Sequence, residues 1–378
     1  SQIVTGALES VEIVPPTHTF CYKIWVVCTS LCILGFIPLS LTFFAVIRKS
    51  PKLASRVPPT TDPNWLTYEG QSRCDDQFPL QRMHMGTPRT MDSQVFCLFN
   101  TSVHSRPYVS RFTVGMVPGA LCHHVLYYTV TANTENELAT KNPEFDYECR
   151  GLDSVAKLKK RFAAMKVHLV LSAETSSESA RLSLTAIDIA AMNKLVESIR
   201  RWADRYKFDG IFVNWVSPLL PVWNFFDALN KQLRPNYTVG VILPREGHLT
   251  KFNVSELFQI VDWMIATTHG FISPETSKVT SCYTPFTNNA RGGMKSRIDL
   301  VYKELGSSVD PTRFCFTVSP RTIGFKVEQQ GQNYSLKPTG PGDLNRYTGI
   351  PGVLSYSQVC RLGQRTTIVP RESCVYMR

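Results

Sequence analysis

The stretch FDGIFVNWVSP, Phe208–Pro218, decides how this chain folds. Its centre is a short apolar run, which reads as a buried strand. Immediately before it lies AAMNKLVESIRRWADRY, in which Met192, Leu195, Val196, Ile199 and Trp202 recur at spacings of three and four. That spacing puts them on one face of an amphipathic helix. The same alternation extends outward from this helix–strand pair. QVFCLF, CHHVLYYTV and VHLVLSA are strand candidates on the N-terminal side; YTVGVIL, VDWMIATT and RFCFTVS follow on the C-terminal side. Helical segments such as SVAKLKKRFAAMK, WNFFDALNKQL, VSELFQI and IDLVYKEL separate most of them. Helices alternating with apolar strands imply parallel pairing through helical crossovers. The seven candidates are one short of a closed (β/α)₈ barrel, a TIM-type barrel.

The chain has 378 residues, 43% hydrophobic and 19% charged, enough for a packed core. Its formal net charge of +11 is scattered. No basic block or nucleic-acid motif accompanies it, so nucleic acid is not an expected partner. There is no phosphate loop, nucleotide fingerprint or Ser-His-Asp signature. Cys149, Cys282, Cys315 and Cys374 lack zinc-ligand spacing, and His123 and His124, being adjacent on a strand, face opposite ways. Neither a cofactor nor a metal is expected.

Four regions are distinguished: a tail over 1–23, a membrane helix over 24–47, a Pro/Ser/Thr-rich stalk over 48–93, and the barrel domain over 94–378. Ile24–Ile47 contains no charged residue, and its 24 residues exceed the ~20 that span a bilayer as a helix. Arg48, Lys49, Lys52 and Arg56 follow the run, which by the positive-inside rule would put the C-terminal part in the cytoplasm. Four Asn-x-Ser/Thr sequons, at Asn100, Asn236, Asn253 and Asn333, together with the cysteine usage, argue for the opposite side. We expect a single-pass protein with its C-terminal domain extracellular or lumenal.

Several strings, taken in order, resemble glycoside hydrolase family 18, the chitinases and chitinase-like proteins. VFCLFNTSVHSRP is similar to the family's first strand and LCHHVLYYTV to its second. IRRWADRYKFDGIFVNW is similar to helix three entering strand four, and VDWMIATTHG to strand six. GPGDLNRYTGIPGVLSYSQVC is similar to the segment after strand seven. The resemblance runs from Gln94 to Leu362. It implies a barrel incomplete at the C-terminus, because the chain ends before an eighth strand, and a disulfide between Cys97 and Cys122. It also implies that Cys360 is unpaired or joined to Cys374.

The family's strand-four motif is Asp-Gly-x-Asp-x-Asp-Trp-Glu. Its Glu protonates the leaving sugar, and its middle Asp orients the substrate N-acetyl group. Asp209, Gly210 and Trp215 match, but the three inner acids are replaced by Phe212, Asn214 and Val216. A positioned general acid contributes roughly 10²–10⁴ in rate. The resemblance therefore implies a pseudoenzyme with no catalytic residue. Ser172, Ala173 and Glu174 replace the family's Gly-Gly-Trp, and Thr267–Gly270 replace its Met-x-Tyr-Asp. Glu174 reads as a solvated loop carboxylate. Tyr127 and Trp215 remain as matches to sugar-contacting positions, although simple alternation turns Trp215 toward the helices.

The expected function is a membrane-anchored, inactive chitinase-like protein that binds chitin or another N-acetylglucosamine-containing glycan, or a protein. The sequence names no protein partner. Two alternatives stand beside this reading: an active glycosidase acting on chitin-type oligosaccharides through other acids, and a non-sugar signalling domain.

Overall fold

Seven strands run in parallel across one curled sheet. The structure is a computed structural model. It describes residues 94–354 except 107–111, 221, 246–248, 274, 276, 278–279, 281–292, 307–309, 320, 328–336 and 345–347, together with the backbone of 366–369 and 374–377. The expected membrane helix and stalk, Cys360 and Asn333 lie outside the described residues. Among the described residues no helix is long and apolar enough to cross a membrane.

The strands are β1 (Phe96–Asn100), β2 (His124–Ala132), β3 (Leu138–Thr140), β4 (Lys166–Ala173), β5 (Gly210–Trp215), β6 (Thr238–Leu243), β7 (Trp263–Ala266) and β8 (Phe314–Phe316). The order is β1-β2-β4-β5-β6-β7-β8, with β3 a short antiparallel addition to β2. All seven candidate strands therefore pair as the alternation predicts. The helices are α1 (Gly151–Arg161), α2 (Ser176–Ile187), α3 (Ile189–Tyr206), α4 (Trp223–Leu233), α5 (Leu249–Phe252), α6 (Val254–Ile260) and α7 (Met294–Leu305). Three small antiparallel pairs of strands follow β8.

The helices start and stop where their sequence says. Thr175 caps α2 in a reciprocal box with Glu178, and Asp188 accepts from the N–H groups of Ala190 and Ala191 at the start of α3. Leu195, Val196 and Ile199 of α3 are buried against the sheet.

Two separate apolar clusters form. The larger fills the space between helices and sheet. The smaller, Leu126, Val170, Phe212, Ile242 and Ile265, comes from alternate positions on five strands and lies inside the curl. The curl brings β1 across to β7: the rings of Phe96 and Trp263 are 5.0 Å apart, and Phe96 lies 5.7 Å from Phe212. Among the described residues β1 and β8 do not pair, so the sheet curls without closing. Cys97 on β1 and Cys122, just before β2, form the disulfide implied by the resemblance, with Cα atoms 5.7 Å apart. Cys149 is disulfide-bonded as well, and Cys315 is a free thiol whose pKa burial pushes up to about 11.

Candidate functional site

Strand β5 explains which half of its motif survives. Asp209 stands at the strand entrance. Its carboxylate accepts from the Val167 N–H at 2.8 Å and pairs with Lys159 at 2.9 Å. Gly210 faces β6 so closely that a Cβ there would sit 2.1 Å from the Thr238 carbonyl oxygen. Asp-Gly is thus a splice between neighbouring strands at the strand entrance.

The inner positions follow the expected alternation. Phe212 is fully buried in the inner cluster. Asn214 faces the same way one layer nearer the carboxyl end. Its side-chain Nδ2 donates to Tyr128 Oη at 3.1 Å and to Ser172 Oγ at 3.0 Å, and those two oxygens lie 3.3 Å apart. Val216 follows at the mouth, its N–H donating to the Ala173 carbonyl. The result is an apolar plug capped by three neutral polar groups. These groups can exchange hydrogen bonds with hydroxyls or amides. None can act as a strong acid at neutral pH.

Tyr127 and Trp215, expected to meet sugar, face the other side of the sheet, and each is 1% exposed. Trp215 packs edge-on against Phe225 of α4, with ring centroids 5.8 Å apart. Tyr127 packs among Phe99 and Phe208 and donates its hydroxyl to Asp146, which also accepts from Thr140. Burial raises the Asp146 carboxyl and holds the Tyr127 phenol far above its ordinary range. Both are structural residues, and the residue beside Tyr127, Tyr128, takes the lumen-facing place. The cause is the pleat: neighbours on a strand face opposite sides.

At the opposite end of the barrel, His124 meets a partner that the sequence did not single out, His168. His124 Nδ1 and His168 Nε2 are 2.8 Å apart, with Phe96 stacked 4.2 Å from the His124 ring. His168 is fully buried, its Nδ1 has no partner, and burial depresses its pKa well below the ordinary value. Burial likewise lowers His124 to about 4. A lone His in the apolar run KVHLVLSA gives no sequence signal beyond its parity with Val170. His123 turns outward and accepts from the Val95 N–H at 3.1 Å.

At the mouth Glu174 is 42% exposed and pairs with Lys141 at 3.3 Å. Partial burial and the charge of Glu178 raise its pKa. Thr268 is fully buried against β8, and His269 Nδ1 sits 2.6 Å from Thr317 Oγ1. Asn100 accepts from the Ser102 N–H; Asn236 and Asn253 are exposed. Among the described residues no cluster of three or more metal-ligating side chains occurs.

The family profile described as Glycosyl hydrolases family 18 matches residues 95–375. The chain belongs to glycosyl hydrolases family 18. Among curated relatives of this family 18 chain, the probable chitinase 10 of Drosophila melanogaster is 22% identical over 303 residues, covering 72% of this chain and 13% of that protein. The chitinase-like mite allergen Der p 18.0101 of Dermatophagoides pteronyssinus is also 22% identical, covering 72% of this chain and 57% of its own length. The chain thus spans a small part of the first relative and just over half of the second. The Group IV chitinase of Ostrinia furnacalis, solved in complex with allosamidin, superposes with a TM-score of 0.67 at 19% identity, covering 76% of this chain and 83% of that one. Human YKL-39, described as a pseudo-chitinase with retained chitooligosaccharide binding, superposes with a TM-score of 0.61 at 15% identity, covering 76% and 83%. Both structural likenesses show the barrel fold.

Proposed function

We propose that this chain is a non-hydrolytic, chitinase-like protein that binds an N-acetylglucosamine-type glycan at the barrel mouth. The observation carrying the reading is the β5 inner face: Phe212 plugs the lumen, Asn214 is held by Tyr128 and Ser172, and Val216 occupies the family's acid position. The retained binding described for YKL-39 supports the binding half of the reading. The uncharged run 24–47 supports a signal-anchor, and the exposed sequons at Asn236 and Asn253 support a lumenal or extracellular domain carrying N-glycans. The test is chitopentaose, assayed for cleavage products and for binding by calorimetry on the full chain. Binding without products is expected. Steady product formation would overturn inactivity, and no binding would overturn the glycan reading.

One observation favours hydrolysis. Ala173 pairs with Trp215 in register, so Glu174 is the strand neighbour of Val216, and its carboxyl holds a proton more tightly than an ordinary glutamate. If products form, Glu174→Gln should abolish them under this reading. Turnover surviving that change would exclude Glu174 as the acid.

A further inference from the structure

The entrances of β4 and β5, at the pole opposite the mouth, carry a cluster of cations. α1 and α3 pack side by side and run in the same sense, each returning the chain to the start of a strand, so their carboxyl ends meet at this pole. Lys159, Lys160 and Arg161 end α1, Lys166 opens β4, and Arg205 and Lys207 close α3. The fold brings these three stretches together. Lys159 Nζ lies 2.9 Å from Asp209 Oδ1 and donates to the Lys207 carbonyl at 2.9 Å. Lys166 Nζ lies 3.7 Å from the same carboxylate oxygen, and its N–H donates to the His123 carbonyl at 3.0 Å. The Arg161 guanidinium sits 5.1 Å from the Phe162 ring centroid, and that of Arg205 sits 5.2 Å from Tyr206.

Both carboxylates at this pole are already engaged. Asp209 is shared by Lys159, Lys166 and the Val167 N–H, and Asp204 accepts from the Tyr237 hydroxyl. Glu197, a turn or two earlier on α3, is taken by Arg200. Lys160, Arg161, Arg205 and Lys207 are exposed and make no ion pair among the described residues. Some positive charge at a helix carboxyl end is ordinary, because it offsets the helix dipole. Lys166, at the start of a strand, answers to no dipole, and the one carboxylate between the two helix ends is divided between two lysines. The remaining charge is what an external anion would neutralise.

The surroundings narrow the anion. Cys122 of the Cys97–Cys122 disulfide adjoins His123, whose carbonyl meets Lys166, and such bonds persist in oxidising compartments. Nucleic acid is chiefly intracellular, and anionic lipids are concentrated in the cytoplasmic leaflet. Linear polysaccharides bearing sulfates or carboxylates are the extended polyanions of the other side. Most of the cluster is lysine, which acts as a point charge rather than as a planar fork. Such a surface responds to the density of charge along its ligand, which sulfation raises.

We propose that the pole at the entrances of β4 and β5 binds a sulfated linear polysaccharide, its sulfates lying among Lys160, Arg161, Lys166, Arg205 and Lys207. The site is separate from the mouth: β4 runs the height of the barrel, from Lys166 at this pole to Ala173 beside Val216. The inference shares with the proposed function only the lumenal or extracellular placement.

The test is calorimetry of the full chain with a heparin octasaccharide, a hyaluronan octasaccharide bearing carboxylates only, and chitopentaose. We expect heparin to bind about tenfold or more tighter than hyaluronan, more weakly as salt rises, and equally well when chitopentaose is saturating. Lys160→Gln with Lys207→Gln should cost heparin about tenfold and leave chitopentaose unaffected. Lys295→Gln with Lys303→Gln, exposed on α7, removes the same charge elsewhere and should change little. All four positions are exposed, and matched thermal melts confirm that both variants fold. Equal losses in the α7 control would reduce the effect to net charge and overturn the inference. So would no heparin binding, hyaluronan bound as tightly as heparin, or displacement of heparin by chitopentaose. Duplex DNA binding tighter at equal charge would reassign the pole to nucleic acid, and phosphatidylserine vesicles displacing heparin would reassign it to a membrane; either result overturns the proposal. Heparin bound without chitopentaose would remove the mouth reading and leave this one standing.

Discussion

Asp209 and Val167 exchange two hydrogen bonds across the entrances of neighbouring strands. The Val167 N–H donates to the Asp209 carboxylate at 2.8 Å, and the Asp209 N–H donates to the Val167 carbonyl at 2.7 Å. Asp262 repeats the device two strand pairs further on, between β7 and β6, accepting from Val239 N–H at 2.8 Å and donating to its carbonyl at 2.7 Å. Asp209→Ala should therefore destabilise the fold by about 1–3 kcal/mol, the cost of orphaning a strand N–H and losing a charged partner. Urea denaturation measures this, and chitopentaose affinity should not change. A neutral effect on stability would show that the splice is dispensable.

Restoring the family motif should not restore the reaction. Phe212→Asp, Asn214→Asp and Val216→Glu together place an acid in the apolar plug and a second where an amide donates to two hydroxyls. A buried, unpartnered acid is costly, and truncating a buried Phe alone costs roughly 3–5 kcal/mol. We expect a lower melting temperature and negligible chitopentaose cleavage. Robust cleavage by the triple variant would show that the rest of the cleft is still competent.

Trp215 offers a cleaner separation of packing from binding. Its ring is buried against Phe225, and its indole N–H has no hydrogen-bond partner. Trp215→Phe removes that N–H and should cost far less than Trp215→Ala, which forfeits roughly 3–5 kcal/mol of core packing. Both variants, where folded, should keep wild-type saccharide affinity. A selective loss of affinity in a fully folded Trp215→Phe protein would place the indole in the binding site after all.

The strand order could be read from the sequence because helix and strand periodicities alternate cleanly around FDGIFVNWVSP. The phase of β2 could not. In HVLYYTV both faces are buried, as parallel strands require, so apolar residues do not alternate and Tyr127 cannot be told from Tyr128. On β5 the phase was legible because the family motif marks 212, 214 and 216 as the inward positions, and two-residue alternation carries them to one face.

The histidine pair makes stability depend on pH. Burial lowers both imidazoles, and Lys166 and His123 add repulsion to His124 against the opposing pull of Asp209. A histidine whose pKa falls on folding disfavours the folded state as it takes a proton. Stability is therefore full above pH 6.5 and declines toward pH 4, where His124 titrates. The urea midpoint should fall across that window, and His124→Phe with His168→Leu should flatten the slope. An unchanged slope in the double variant would assign the acid sensitivity to other groups.

The Disulfide Cys97–Cys122 ties β1 to the entrance of β2 over a sequence separation of 25. Cys97→Ser with Cys122→Ser should lower stability by about 2–4 kcal/mol. A thermal melt under matched conditions checks it, and an unchanged melt would mean the strand pairing alone fixes this edge.

Phe212 has a silent companion in Gly240. A Cβ at 240 would lie 2.3 Å from the Phe212 ring, so the two positions share one parcel of volume. An acid returned to 212 would leave a hollow beside Gly240, and a larger residue at 240 is blocked while Phe212 remains. Installing the family's acid at 212 is then a coordinated problem in which each single step is worse than the starting point. The plug works as a latch: while Phe212 fills the lumen beside Gly240, neither position can change size alone.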